Sequence, residues 1–418
     1  MNAGFVDGEL LKSMGATLSQ VFTYVRLYQV EPTVLLFLGS DAPLDMETGV
    51  LATGRPMSEH LFHYSQIGLN GLDDLVTALV LDEEAMLRFV VGADISTDNA
   101  NRMATHSKVF AHGGLDVDDL VKLFGPYDPL LNVNSVVHTE LAAELNFSYI
   151  GTRLVYSGAW RRAEALAKVL PDRSTALQIG AKILLWKGKT EQAEAMLRAA
   201  INADPDNVEA RYQFVQSKLA SLVLGTANEE TIRLANSLSG APYAIVRGWS
   251  YGAEKNWPGL ARIDRQLAAS ELTDSWYPEA VQLRAEWRTK VAREDAHQYA
   301  HDAIRMLDRA LLITPDLDLY VLRTASAYLL DDPDAFVESA RYVGWYINSK
   351  LQRAKVGDYD LQQTELDVME TRLIGIEREM KTELVEPVGG RAEQVRAAML
   401  DLLIEVRKYG EAANMNAQ

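Results

Sequence analysis

The chain contains no cysteine, which excludes disulfides, thiolate catalysis and cysteine-held zinc or iron–sulfur centres. The redox compartment stays open, because a cysteine-free chain suits either environment. Long apolar runs are missing too. TVLLFL and VTALVL fall far short of the ~20 residues that a spanning helix needs. The opening MNAGFVDGELLKSMG has no basic start followed by an apolar stretch, so no secretory leader is expected. Positive charge is scarce, with 41 Lys and Arg against 58 Asp and Glu, a net charge of −17. Such a chain is poorly suited to displacing counterions from phosphates, and no nucleic-acid partner is expected. It suits cationic ligands or basic protein surfaces.

What is present is ordinary for a globular protein. Hydrophobic residues make up 48% and charged residues 24% of 418 positions, room for two or three domains. Residues 1–135 mix element types. Leu10, Leu11, Met14, Leu18 and Val21 mark one face of a helix. VRLYQV and TVLLFLG then read as adjacent strands separated by Glu31-Pro32, the second apolar throughout and expected to be buried on both faces. Two short helices follow, with Asn70 and Asp82 as N-caps. FGPYDPLLNVN, with its two prolines, reads as a linker.

From His138 onward the pattern is helix after helix. QAEAMLRAAINADP and DAIRMLDRALLITP align without gaps. Ala193, Leu197, Ala200 and Pro205 of the first match Ala303, Leu307, Ala310 and Pro315 of the second. The alanines allow a neighbouring helix to approach closely, the leucine fills the space between them, and the proline starts the next helix. Ala181 lies on the preceding helix, which Gly188 closes, and a looser copy runs through Gly151, Gly158 and Ala163. These residues resemble tetratricopeptide repeats, helical hairpins of about 34 residues. The resemblance implies a helical array over 138–350 whose groove holds a protein partner. Residues 359–411 carry two further apolar stripes, Leu366 to Met380 and Val395 to Tyr409, about a Gly389-Gly390 turn. A capping hairpin is the favoured meaning and a dimerising coiled coil the sharper one.

Three short segments of the first part bear a second resemblance. They are Val21-Phe22 with Val25-Arg26-Leu27-Tyr28, then Leu35 to Ser40, and Thr97-Asp98-Asn99. In this order, after a helix, they are similar to the closing third of spermidine synthase-like proteins. That family has a methyltransferase-like sheet ending in an antiparallel hairpin, and larger bacterial members join it to helical repeats. The resemblance covers Asp7 to Ser107 and makes Ser40, Asp41, Thr97, Asp98 and Asn99 ligand-facing candidates. The glycine-rich turn, ribose-binding acid and catalytic aspartate of such a synthase would precede Met1. Asn99 stands where the family has aspartate. Capping of a turn by Thr97 or Asp98 competes with retained ligand contact.

Other chemistry is thin. His297 and His301 lie four apart on a helix, the spacing of a metal pair, but a solvated helix face is the favoured reading. Glu59, His60 and His63 are a weaker version, and GVLATGRP lacks the Lys-Ser/Thr of a phosphate loop. The expected fold is mainly α, a partial methyltransferase-like α/β region followed by a tetratricopeptide-like solenoid. The expected role is a non-catalytic interaction or assembly subunit without a cofactor. A protein partner covers the N-terminal region, the groove or both. The setting is cytoplasmic, or at a membrane only through that partner. The alternative is the C-terminal portion of a polyamine aminopropyltransferase whose nucleotide-binding half lies on another or upstream chain.

Overall fold

A computed structural model describes residues 1–31, 33–44, 71–97, 114–269, 277–290, 296–313, 315–382, 385 and 388–416. The chain is mainly α, with one small three-stranded antiparallel sheet among these residues. It divides into two compact units. The first is Met1–Ile183 with Ala199–Asn207, and the second is Leu184–Arg198 with Val208–Gln418.

In the first unit, Asp7 caps α1 (Gly8–Val21) by accepting the Leu10 N–H at 2.7 Å. Leu10 and Leu11 are buried, Met14 and Leu18 half-buried against the same core, while Val21 is exposed. The strands β1 (Tyr24–Glu31) and β2 (Val34–Ser40) pair in register from Tyr24↔Ser40 to Gln29↔Leu35, with an irregularity before Glu31↔Val34. A third strand, β3 (Leu79–Leu81), pairs antiparallel with the other side of β1.

The strand β2 is not buried on both faces. Leu35 is buried and Phe37 packs against the core, but Leu36, pointing the other way, is 51% exposed. The reason is position: β2 is an edge strand of an antiparallel sheet packed on one face. Part of its outer edge is occupied by the chain's own start. Met1 exchanges backbone hydrogen bonds with Leu35 at 2.6 and 2.8 Å, and Ala3 donates to Thr33 at 2.7 Å. This covers N–H and C=O groups that an edge otherwise exposes.

Two short helices, α2 (Leu72–Ala78) and α3 (Glu83–Phe89), follow. Asp82 caps α3 through the Ala85 N–H at 2.7 Å. Gly71 occupies the cap position of α2, and Asn70 lies outside the described residues. The core beneath the sheet joins α1, α3 and α4 (Val117–Phe124) through Leu11, Leu27, Met86, Phe89 and Phe124.

The segment expected to be a linker is packed. Three helices follow, α5 (Val136–Thr139) and the hairpin of α6 (Phe147–Tyr156) and α7 (Trp160–Val169); Leu130 and Asp128 are buried, and Asp128 is paired with Arg162 on α7. Arg162 grips both Asp128 oxygens, at 2.5 and 2.9 Å, and donates to the carbonyls of Thr77 at the end of α2 and Leu79 at the start of β3. A bidentate guanidinium is what can satisfy a carboxylate and two carbonyls together. It explains why the sheet and the first helical hairpin share one unit.

Next come α8 (Arg173–Trp186) and α9 (Thr190–Ala203). Gly151 on α6 faces Ile179 on α8 so closely that a Cβ there would collide with the isoleucine. Ala163, Ala181, Ala193, Leu197 and Ala200 are all buried. Gly158 ends α6 with φ +81°, a conformation that favours glycine.

In the second unit Gly188 (φ +75°) turns the chain against Asp360, whose carbonyl would meet any Cβ. The helices α10 (Val208–Ser217), α11 (Leu219–Val223), α12 (Glu229–Asn236), α13 (Gly240–Ala253), α14 (Trp257–Ala269), α15 (Pro278–Lys290), α16 (Ala296–Ile313), α17 (Leu317–Leu329) and α18 (Pro333–Lys355) follow in order. Ala303, Leu307 and Ala310 of α16 are buried against Val281, Ala285, Leu319 and Leu322. Pro205 and Pro315 are exposed in the turns ahead of α10 and α17 rather than in their first turns.

The tail pairs α19 (Gln363–Glu379) with α20 (Gly389–Asn416), so Gly389 and Gly390 begin a helix instead of standing in the turn. Leu366, Met369, Leu373 and Ile376 meet Met399, Leu402 and Val406, and both stripes pack with Val343, Ile347 and Leu351 of α18. The apolar seam is thus consumed within the unit.

Replacing Arg162 by methionine strands a buried aspartate, a change worth ~3–5 kcal/mol. In urea melts, R162M is expected to unfold its first transition at much lower denaturant than wild type. The double variant R162M/D128L is expected to recover most of that loss.

Candidate functional site

The ligand-facing candidates do not assemble into a reaction centre among the described residues. Ser40 ends β2, where its hydroxyl accepts the Ala42 N–H at 3.1 Å, and Asp41 is exposed beside it. Thr97 is exposed, and its neighbour Ser96 is tethered to α1 through the Thr17 hydroxyl at 2.9 Å. Asp98 and Asn99 lie outside the described residues, as do Gly49 to Pro56, Glu59, His60 and His63. His297 and His301 are exposed on α16. No group of three His, Asp or Glu side chains able to hold a metal occurs among the described residues.

The first unit holds a cavity of about 640 Å³ beside α3, lined by Arg26, Asp82, Glu83, Tyr127, Asn132 and Ser135 among others. Its polar groups are bound to structural partners. Arg26 pairs with Glu83 at 2.8 Å, and Asp82, whose pKa is raised by burial, caps α3. Ser135 and His138 are three residues apart, yet do not form a nucleophile and base. The Ser135 hydroxyl donates to the Pro129 carbonyl at 2.6 Å, and His138 Nε2 bonds the Leu130 carbonyl at 2.8 Å. A serine nucleophile needs its proton pointed at the base.

A second polar cluster joins α2 to α6. Asp74 is buried and accepts the Tyr149 hydroxyl at 2.5 Å, with the Arg153 guanidinium 3.3 Å away. Burial, then the Asp74 charge, holds the Tyr149 phenol far above its usual range. Asp73 accepts the Asn146 N–H at 2.8 Å, and burial pushes its pKa up to about 6. Further along, α6 and α8 share a polar ladder. Gln178 bonds Ser148 at 2.8 Å and Thr152 at 3.3 Å, and Lys182 donates to the Tyr156 hydroxyl at 2.6 Å. Each of these groups positions a helix.

In the second unit some aromatic residues reach the surface. Tyr320 of α17 stacks on Tyr342 of α18 at 5.5 Å, with Tyr346 beside it at 6.4 Å. Trp345 is 55% exposed and Tyr342 36%. Both lie on α18 at i and i+3, while Tyr346 at i+4 is half-buried against the core of the tail. Nearby, Arg353 lies over the Trp186 ring at 3.4 Å, and Lys350 over Tyr359 at 4.7 Å. Composition alone does not sort these rings. Tyr277 is buried, whereas Tyr243, Trp257 and Trp345 are exposed, and Trp276 lies outside the described residues. No helix among the described residues is long and apolar enough to cross a membrane. No family model matches the chain, and no curated protein matches it.

The raised pKa of Asp73 sets the sign of a pH effect. The folded chain binds the proton more tightly than the unfolded chain does, so stability falls as pH rises from ~4 to ~6. D73N keeps an acceptor for the Asn146 N–H and removes this cost. Discounted for partial exposure, the gain is about 1–2 kcal/mol at pH 7.5 and vanishes near pH 4. Thermal melts of both proteins at the two pH values check it.

Proposed function

We propose that this chain is a non-catalytic interaction or assembly subunit. Its tetratricopeptide-like helical array holds a protein partner, and its N-terminal region is a spermidine synthase-like remnant. The observation that carries the reading is the exposed ridge of Tyr342 and Trp345 on α18, backed by the buried Tyr320. Exposed tryptophan and tyrosine bury large area at low entropic cost and dominate interface energetics. The buried small residues on successive helices support stacked hairpins, an architecture that presents extended partner surfaces. The hairpin of β1 and β2 directly after α1 is in keeping with the end of a synthase-like sheet. That same hairpin favours a second reading, in which a separate nucleotide-binding half completes an aminopropyltransferase.

Affinity capture from the source cells with wild type and W345A tests both. The variant is expected to fold normally, since the side chain is half in solvent, and to bind the captured partner at least ~10-fold more weakly. Equal capture by both proteins overturns the interaction role of the ridge. A partner carrying a glycine-rich nucleotide-binding half, with aminopropyl transfer appearing in the complex, favours the second reading.

A further inference from the structure

The hairpin of α13 and α14 brings two arginines together without an acid between them. Tyr243, Arg247 and Tyr251 lie at i, i+4 and i+8 on one face of α13, and Arg262 reaches the same place from α14. The Tyr251 hydroxyl oxygen accepts from Arg262 at 3.0 Å and from Arg247 at 3.4 Å. The guanidinium groups of Arg247 and Arg262 also lie over the Tyr251 ring, 4.8 and 5.9 Å from its centre.

The ring itself is seated. Gly259, buried in the first turn of α14, faces it so closely that a Cβ there would stand 2.9 Å from its carbons. Asn256 fixes that turn: its backbone N–H donates to the Tyr251 carbonyl at 2.8 Å, and its side chain accepts the Gly259 N–H at 3.0 Å. Tyr251 is therefore a post that sets two long, flexible side chains in one geometry.

The charge at this post is unbalanced. Two cations converge on one neutral hydroxyl, and neither Arg247 nor Arg262 forms an ion pair among the described residues. Glu254 acts on Arg247 only through its longer-range field. The hydrogen bond from Arg247, with the charge of both arginines, holds the Tyr251 phenol below its usual pKa. The chain has 58 acidic residues against 41 basic ones. Elsewhere in the same unit it pairs Arg284 with Asp264, Arg323 with Asp308 and Arg396 with Glu377. A shortage of acid does not explain the bare pair.

We propose that Arg247 and Arg262, set by Tyr251, bind a phosphate monoester carried on a phosphorylated serine or threonine of the protein partner. The inference rests on the interaction role given above and names the chemistry of the partner. Two guanidinium forks offer parallel N–H pairs, and a phosphate has three terminal oxygens to meet both forks and the Tyr251 hydroxyl together. It also carries about −1.5 to −2 charges at neutral pH, close to what two cations require. A carboxylate has two oxygens and half the needed charge. Tyr251 turns from acceptor to donor as its proton faces the anion. Tyr243, one turn away on the same face and 39% exposed, gives the segment bearing the phosphate an apolar contact. The net charge of −17 acts on the rest of that segment and favours basic neighbours around the phosphate.

The test uses the full chain at physiological salt and a short fluorescein-labelled peptide of glycine, serine and lysine with one central phosphoserine, read by anisotropy. The unphosphorylated peptide and one with glutamate at that position are the comparisons. Wild type is expected to bind the phosphopeptide at least ~10-fold more tightly than either. R247Q/R262Q is expected to lose at least ~10-fold. R233Q/R378Q, which removes two positive charges from exposed positions on α12 and α19, is expected to lose less than ~2-fold. R247K/R262K keeps the charge without the forks and is expected to lose at least ~5-fold. Neither Arg247 nor Arg262 is buried, so these variants are expected to melt as wild type does. Equal or absent binding of the three peptides overturns the proposal. Equal losses in the two glutamine double variants reduce the effect to general charge and overturn it too, as does wild-type binding by R247K/R262K. Inorganic phosphate that displaces the peptide at equal concentration makes a free anion the ligand and overturns the assignment to a partner. Should W345A lose the captured partner while R247Q/R262Q retains it, the interaction role stands and this inference falls. Phosphopeptide binding lost only in R247Q/R262Q, with capture unchanged in W345A, leaves this site standing without the ridge.

Discussion

A single guanidinium organises the first unit. Arg162 projects from α7 into the space between the start of β3 and the proline-flanked segment around Asp128. Four of its five N–H groups have partners, two on a carboxylate and two on carbonyls. The sheet is too small to make a core by itself. Its three strands need α1, α3 and α4 on one face, and the carbonyls of Thr77 and Leu79, where α2 passes into β3, need donors. By supplying them from α7, Arg162 ties the strands to the first helical hairpin within one unit. Asp74 does similar work alongside, with Tyr149 and Arg153 of α6 as its partners.

The helices beyond depend on the absence of side-chain bulk. Gly151 lets α6 approach Ile179, and Gly188 takes a left-handed turn flush against the Asp360 backbone. The alanines at 193, 303 and 310 allow the same close approach and leave room for Leu197 and Leu307. Close approach maximises contact between apolar surfaces, the main source of stability for helices too short to persist alone. In the tail the same logic produces a three-helix core, because α18 supplies the third face that a two-helix seam lacks.

What could be read from the residues follows from how far each interaction reaches along the chain. Asp82 was legible as a cap because its bond spans three residues. The repeat alanines were legible because an identical pattern recurs at a fixed offset. The pairing of Asp128 with Arg162 spans 34 residues and has no local signature. The two prolines around Asp128 signal a turn, and they do so whether the turn is solvated or buried. VTALVL stood out only as a short apolar run, and its last residues form β3, which pairs with the open side of β1. An apolar strand implies burial on both faces only when it is central, and centrality is a property of the finished sheet. The exposed ridge on α18 was likewise out of reach. Rings at i, i+3 and i+4 look the same in sequence whether they face a neighbour or the solvent.

Two treatments of buried polar groups stand side by side in this molecule. Around Arg162 donors and acceptors are matched almost completely, and the result is rigid architecture with little left for a ligand to gain. Around Gln213 the matching is incomplete, because its buried carbonyl has no hydrogen-bond partner. A leucine there would remove the unpaired acceptor. Local rules are broken most often where a site does something other than hold the fold together.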